Sequence, residues 1–217
     1  METVLVMHAR YRLTHPVSLG WIATYLLVLL WSGTHPADQV IWGLEVFPAI
    51  LGLVVLAVTF KHHPLTPLLY LLILIHAVIL MIGGHYTYAD VPLFEYWAEV
   101  SDGRNNYDKV GHFAQGFIPA MIAREILLRC HVIAGNLWRN FFICCFCLAF
   151  SAFYELLEWW VALLSEETGD DFLGAQGYLW DTQSDMFLAL LGAIFALLSM
   201  SRLHDQQLKE ISQTHAR

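Results

Sequence analysis

Six stretches of this chain, residues 17–32, 41–60, 66–83, 110–129, 138–164 and 181–201, are apolar over most of their length. Each approaches the ~20 residues that a helix needs to cross a hydrocarbon core. In lipid, backbone amides and carbonyls find partners only within their own helix or in a closed barrel, so separated apolar runs of this kind dictate helices. The expected fold is an all-α polytopic membrane protein, a bundle of about six transmembrane helices. A single integral membrane domain takes in residues 1–203, and 204–217 form a polar cytoplasmic tail. Composition agrees, because 14% of the residues are charged where a soluble domain carries about 25%. Residues 110–129 are the least apolar of the six. They have polar groups at one end and Pro119 in the middle, and are expected to be kinked and enclosed by neighbours.

Orientation follows from Lys and Arg, which cytoplasmic loops retain. Placing both termini in the cytoplasm puts nine of these residues inside and leaves Arg104 and Lys109 outside. The net charge of −8 then matters less than the side on which each charge lies, and nucleic acid is excluded as a partner. The acidic run SEETGDDF, residues 165–172, is expected to face the external space. Arg10 and Arg12 precede the first apolar run, but no clear small-residue cleavage site follows, so an uncleaved first helix is expected. Residues 84–109 carry Tyr86, Tyr88, Phe94, Tyr96 and Trp97, which suits a segment at headgroup level. Cys130, Cys144, Cys145 and Cys147 lie at or within the cytoplasmic half of the spans, which does not indicate a disulfide framework. The CCFC run reads as small apolar packing.

With this topology the ionisable residues fall on one side. Asp108 and His112 lie four apart at the outer mouth of the fourth span, with Gln115 about one turn deeper. Glu155 and Glu158 lie three apart in the outer part of the fifth, and Asp181 and Asp185 four apart at the entrance of the sixth. Glu45 and His85 are external too. A charge near a helix centre costs roughly 2.5 to 3.5 kcal/mol on insertion scales, so these groups should face the bundle interior and meet one another. Two carboxylates ~6 Å apart repel by ~3 kcal/mol at an effective dielectric near 20, so retained protons, Lys109 and Arg104, or a divalent cation must neutralise them.

Structural readings compete with each assignment. Asp181 is well placed to cap the last helix, although Asp185, a turn further in, is not. Glu155 and Glu158 fit ion pairs with Lys109 or Arg104. His112 alone fits a packed core imidazole, as does His76, while His62 and His63 read as solvated loop residues. Trp159 and Trp160 read as an interfacial belt.

RNNYDKVGHFAQGFIPAMIAREILLR, FYELLEWW and FLGAQGYLWDTQSDMFLALLGA resemble the YjdF-like family of bacterial inner-membrane proteins, over most of residues 35–200. More distantly, Asp108-Lys109 with His112-Phe113, then Glu155, then Asp185 with Gly192, is similar to the VanZ-like pattern. Glu158 stands near a position where that pattern has glutamine, and Ala189 at its asparagine. These resemblances imply a compact helical module in the bacterial inner (cytoplasmic) membrane, with acids and histidine gathered at one face, and they supply no reaction.

Three functions fit the residues. The first is a metal-dependent hydrolase or transferase acting on a lipid or lipid-linked substrate. His112, Glu155, Asp181 and Asp185 would hold a divalent metal cation, Glu158 or Asp108 would act as base, and Arg104, Lys109 and Gln115 would bind substrate. The second is a non-catalytic lipid-binding or assembly protein whose polar cluster locks helices together. The third is a proton or cation transporter, against which the inner stretches FFICCFCLAF and GAIFALLSM offer almost no polar path.

Overall fold

The computed structural model describes residues 15–100, 103–164, 176 and 178–215, with the side chains of 212–215 left out. Arg10, Arg12, Arg217 and the acidic run 165–172 lie outside the described residues. Among those described there are seven α-helices and no strand: α1 (Pro16–Ser32), α2 (Gln39–Thr59), α3 (Pro67–His85), α4 (Pro92–Val100), α5 (Tyr107–Arg129), α6 (Asn136–Leu164) and α7 (Asp181–His215). α2, α3, α6 and residues 181–211 of α7 are long and apolar enough to cross a membrane, and α1 is a shorter apolar helix of 17 residues. α5 covers the least apolar of the six segments. The nine-residue α4 lies within the long connection and leaves Leu93, Tyr96, Trp97 and Val100 exposed.

Local chemistry explains the helix starts. Asp38 caps α2, its Oδ1 accepting from the amides of Val40 (2.7 Å) and Ile41 (2.8 Å). Pro16 and Pro67 occupy first-turn positions of α1 and α3, where no amide hydrogen is needed. Pro48 lies inside α2 and Pro119 inside α5. α7 runs on beyond residue 201, where the last apolar segment ends, into the polar tail. It continues to His215 as one helix, because His204 and Ile211 are buried on the same helix.

Two groups of helices share a seam. α1 and α2 each pack on α3, around Tyr25, Val46, Ala49, Ala77 and Met81. α5, α6 and α7 pack on one another, and α3 meets α5, around Leu69, Ile118, Met121, Ile143, Cys147 and Ala193. The closest approach is between α5 and α7. Gly116 lies against the backbone of Ala189, and Gly192 against the carbonyl of Phe113, with no room for a Cβ at either glycine. Phe47, Leu51, Val58, Phe153 and Leu198 stay exposed, as residues facing acyl chains do.

α1, α3 and α6 finish at the end of the bundle where α2, α5 and α7 begin, here the upper end. At the lower end the buried Glu125 carboxylate accepts from Thr66 Oγ1 (2.8 Å), Arg129 Nη1 (2.9 Å) and His204 Nε2 (2.9 Å). Arg124 bonds His204 Nδ1 and Asp205, each at 2.7 Å. The middle of the seam between the two ends is the apolar core of Ile118, Met121, Ile143 and Ala193.

Candidate functional site

The upper end holds a groove. Its floor is α3, with His76 and Leu80, and α5, with Asp108, Gly111, His112 and Gln115. One wall is α2, with Glu45 and Pro48, and the other is α6, with Phe150, Tyr154 and Glu158. A cavity of about 60 Å³ occupies it. Tyr88 also lines it, from a turn in which Thr87 (φ 56°) and Tyr88 (φ 57°) adopt left-handed backbone conformations. The Tyr88 ring packs over Gly83 and Gly111, where a side chain would collide with it. Burial, then the nearby Glu45 carboxylate, pushes the Tyr88 phenol well above its usual pKa, so it keeps its proton.

The mouth is held by Asn105. Its amide donates to Gln176 Oε1 (3.0 Å), its carbonyl accepts from Gln176 Nε2 (2.9 Å), and its Nδ2 donates to the Val91 carbonyl (3.1 Å). These bonds fix the start of α5 against the approach to α7 and the segment before α4. Arg104 donates to the Asp181 carboxylate and lies 4.0 Å from Asp108 Oδ2. Arg104 and Lys109 both sit over the Tyr178 ring, at 5.1 and 5.4 Å from its centroid.

His112 is the centre of the cluster. Its Nε2 lies 3.1 Å from Asp108 Oδ1, while Nδ1 lies 3.1 Å from Gln115 Oε1 and 3.8 Å from Glu155 Oε1. Two sets of ligand atoms converge on it, Asp108–His112–Asp185 and His112–Glu155–Glu158, each with all atoms within 4.8 Å of one another. Glu155 Oε1 and Asp185 Oδ1 are buried with no hydrogen-bond partner. Such oxygens are rare unless something unseen completes them. Among the described residues neither Glu155 nor Glu158 has a Lys or Arg partner.

Of the residues singled out in the sequence, Asp108, His112, Gln115, Glu155, Glu158 and Asp185 meet around one imidazole. Asp181 stands at the rim, its carboxylate bound to Arg104 and outside both ligand sets. Lys109 lies beside it, over Tyr178. The arrangement suits one cation, since a second on the same imidazole would require both ring nitrogens as ligands, leaving neither to be oriented by a carboxylate.

Residues 17–206 match the family described as "Predicted membrane protein (DUF2238)". The chain belongs to this family. It is 50% identical over 187 residues to the inner membrane protein YjdF of Escherichia coli (strain K12), covering 86% of this chain and 90% of that protein. No solved structure matches it. With its apolar helices, this DUF2238 member is a multi-pass protein of the bacterial inner membrane.

Sequence reasoning passed over Glu45 and Tyr154 as site residues. Tyr154 Oη donates to Glu45 Oε2 at 3.1 Å, linking the two walls. A lone carboxylate inside the apolar QVIWGLEVFPAIL was the available signal. The lower Glu125–His204 network was also missed, because its partners are 79 residues apart.

Proposed function

We propose that the upper cluster binds one divalent cation and serves a metal-dependent hydrolase or transferase reaction on a phosphate-bearing lipid, at the extracytoplasmic face. The observation that carries this reading is the pair of buried oxygens without a hydrogen-bond partner, Glu155 Oε1 and Asp185 Oδ1, on residues that each belong to a ligand set containing His112.

His112 would supply the nitrogen ligand and Glu155 and Glu158, which converge with it, the oxygens, with Asp185 brought in from the other set that meets the same imidazole, donors suited to a borderline or hard cation such as Zn²⁺, Mn²⁺ or Mg²⁺. Bound there, the cation would polarise a phosphoryl oxygen and lower the pKa of a bound water. Asp108 orients the imidazole through Nε2 and would serve as the base. Lys109, at the mouth and with no ion pair among the described residues, offers a positive charge to a phosphate. Arg104 is engaged by Asp181 and holds the rim. Transport is less well supported, because the apolar layer of Ile118, Met121, Ile143 and Ala193 separates the two polar ends.

Metal analysis of the purified protein tests the reading, with Asp185→Asn and Glu155→Gln as controls. About one bound ion per chain, lost in both variants, is the expected result. A parent protein that binds no divalent ion under saturating conditions removes the proposal.

A further inference from the structure

Each wall of the groove packs chiefly on other helices: α2 rests on α3, and α6 rests on α5 and α7. Between them the Tyr154–Glu45 hydrogen bond spans the opening. Phe150, 41% exposed, lines the groove beside that bond and is open to the outside of the bundle. The groove therefore opens sideways, toward the bilayer. We propose that it is a lateral portal through which a phospholipid of the surrounding leaflet enters, headgroup toward His112 and acyl chain left between α2 and α6, with Tyr154 and Glu45 as its latch. This rests on the lipid substrate class proposed above and adds the route and the gate.

Size and mechanics support it. A cavity of about 60 Å³ holds a cation with a few waters, and a phosphate headgroup with its chain needs more. The walls must part. α2 has a hinge for this at Pro48, three residues after Glu45, where proline removes the amide that would bond the Leu44 carbonyl. Beyond the acids the groove is lined by Pro48, Leu80 and Phe150, an apolar surface suited to a chain. A partner helix, ~10–12 Å across with its side chains, is too wide for a slot that one hydrogen bond spans.

The test is photo-cross-linking of the full-length protein in vesicles of phosphatidylethanolamine and phosphatidylglycerol. These contain a phosphatidylglycerol with a diazirine in its chain, and adducts are mapped by mass spectrometry. Adducts are expected on His76, Leu80 and Phe150. Tyr154→Phe, which removes the latch bond and keeps the ring, should raise them about 3- to 10-fold relative to adducts on exposed Leu198, the population change that one such bond controls. Phe150→Trp, which narrows the slot, should lower them. Floor residues without lipid adducts, adducts indifferent to both variants, or protein–protein cross-links in their place would overturn the portal. The readout needs neither metal nor turnover. Floor adducts in a protein without metal would leave the portal standing and the cation site refuted, and the reverse result would do the opposite.

Discussion

Glu125 and His204, 79 residues apart in sequence, meet at 2.9 Å with neither side chain exposed. A guanidinium only donates, so His204 Nδ1 accepts from Arg124 while Nε2–H donates to Glu125. The imidazole thus joins a cation and a carboxylate on consecutive residues of α5 and fastens the polar end of α7 to them. His204→Ala leaves both partners buried and short of one bond, and should destabilise the protein by about 2–4 kcal/mol. Thermal unfolding in detergent measures this. Trypsin should then cut after Arg202 and Lys209 faster than in the parent, and unchanged cleavage would mean that the α7 extension is held by something else.

The Gly116–Ala189 contact sets the distance between two helices that each bring groups to the site, His112 from α5 and Asp185 from α7. Gly116→Ala has no space for its methyl, so the helices must separate. The expected cost is about 1–3 kcal/mol, as for other overpacked cores, with weaker cation binding in step. Gly52→Ala is the control, because nothing lies within 4 Å of a Cβ there. It should leave both unfolding and cation affinity near parental values.

The helices were legible because hydrophobic length is a local property: five of the six apolar segments end within a few residues of their helix, and the sixth starts with α7 but stops well short of its end at His215. The meeting of Asp108, His112, Glu155, Glu158 and Asp185 was legible too, since their spacing and shared depth left few places to go. What the sequence did not carry was pairing at a distance. Asp181 has the position of a cap, yet its carboxylate takes Arg104, 77 residues earlier in the chain. Glu45 stood alone in its helix until α6 placed Tyr154 opposite. Arg124 and Glu125, adjacent within a span, signalled a buried partner without naming His204.

The two cations at the rim should separate in function. Arg104→Ala leaves the buried Asp181 carboxylate without its guanidinium and should cost about 1–3 kcal/mol of stability. Among the described residues, Lys109→Ala removes a contact with the Tyr178 ring, worth about 0.5–1 kcal/mol. It should instead weaken binding of a phosphate-bearing lipid, measured by vesicle titration at low and high salt. If Lys109→Ala changes unfolding alone and Arg104→Ala changes lipid binding alone, the roles proposed for them are reversed.

A site built for a cation holds its acids at a cost when no cation is present. Glu155, Glu158, Asp108 and Asp185 share a buried space around His112, and like charges at such range repel by a few kcal/mol at an effective dielectric near 20. Asp185→Asn removes one of them with little change of shape, so the chelated variant should unfold at a higher temperature than the chelated parent. Adding a divalent ion should then raise the parent's midpoint by the binding linkage, about 2.7 kcal/mol at a hundredfold excess over Kd, and leave the variant's nearly unmoved. The two unfolding curves should therefore change order between chelator and saturating metal. That inversion separates a strained binding site from a helix lock, because losing a structural carboxylate lowers stability under both conditions.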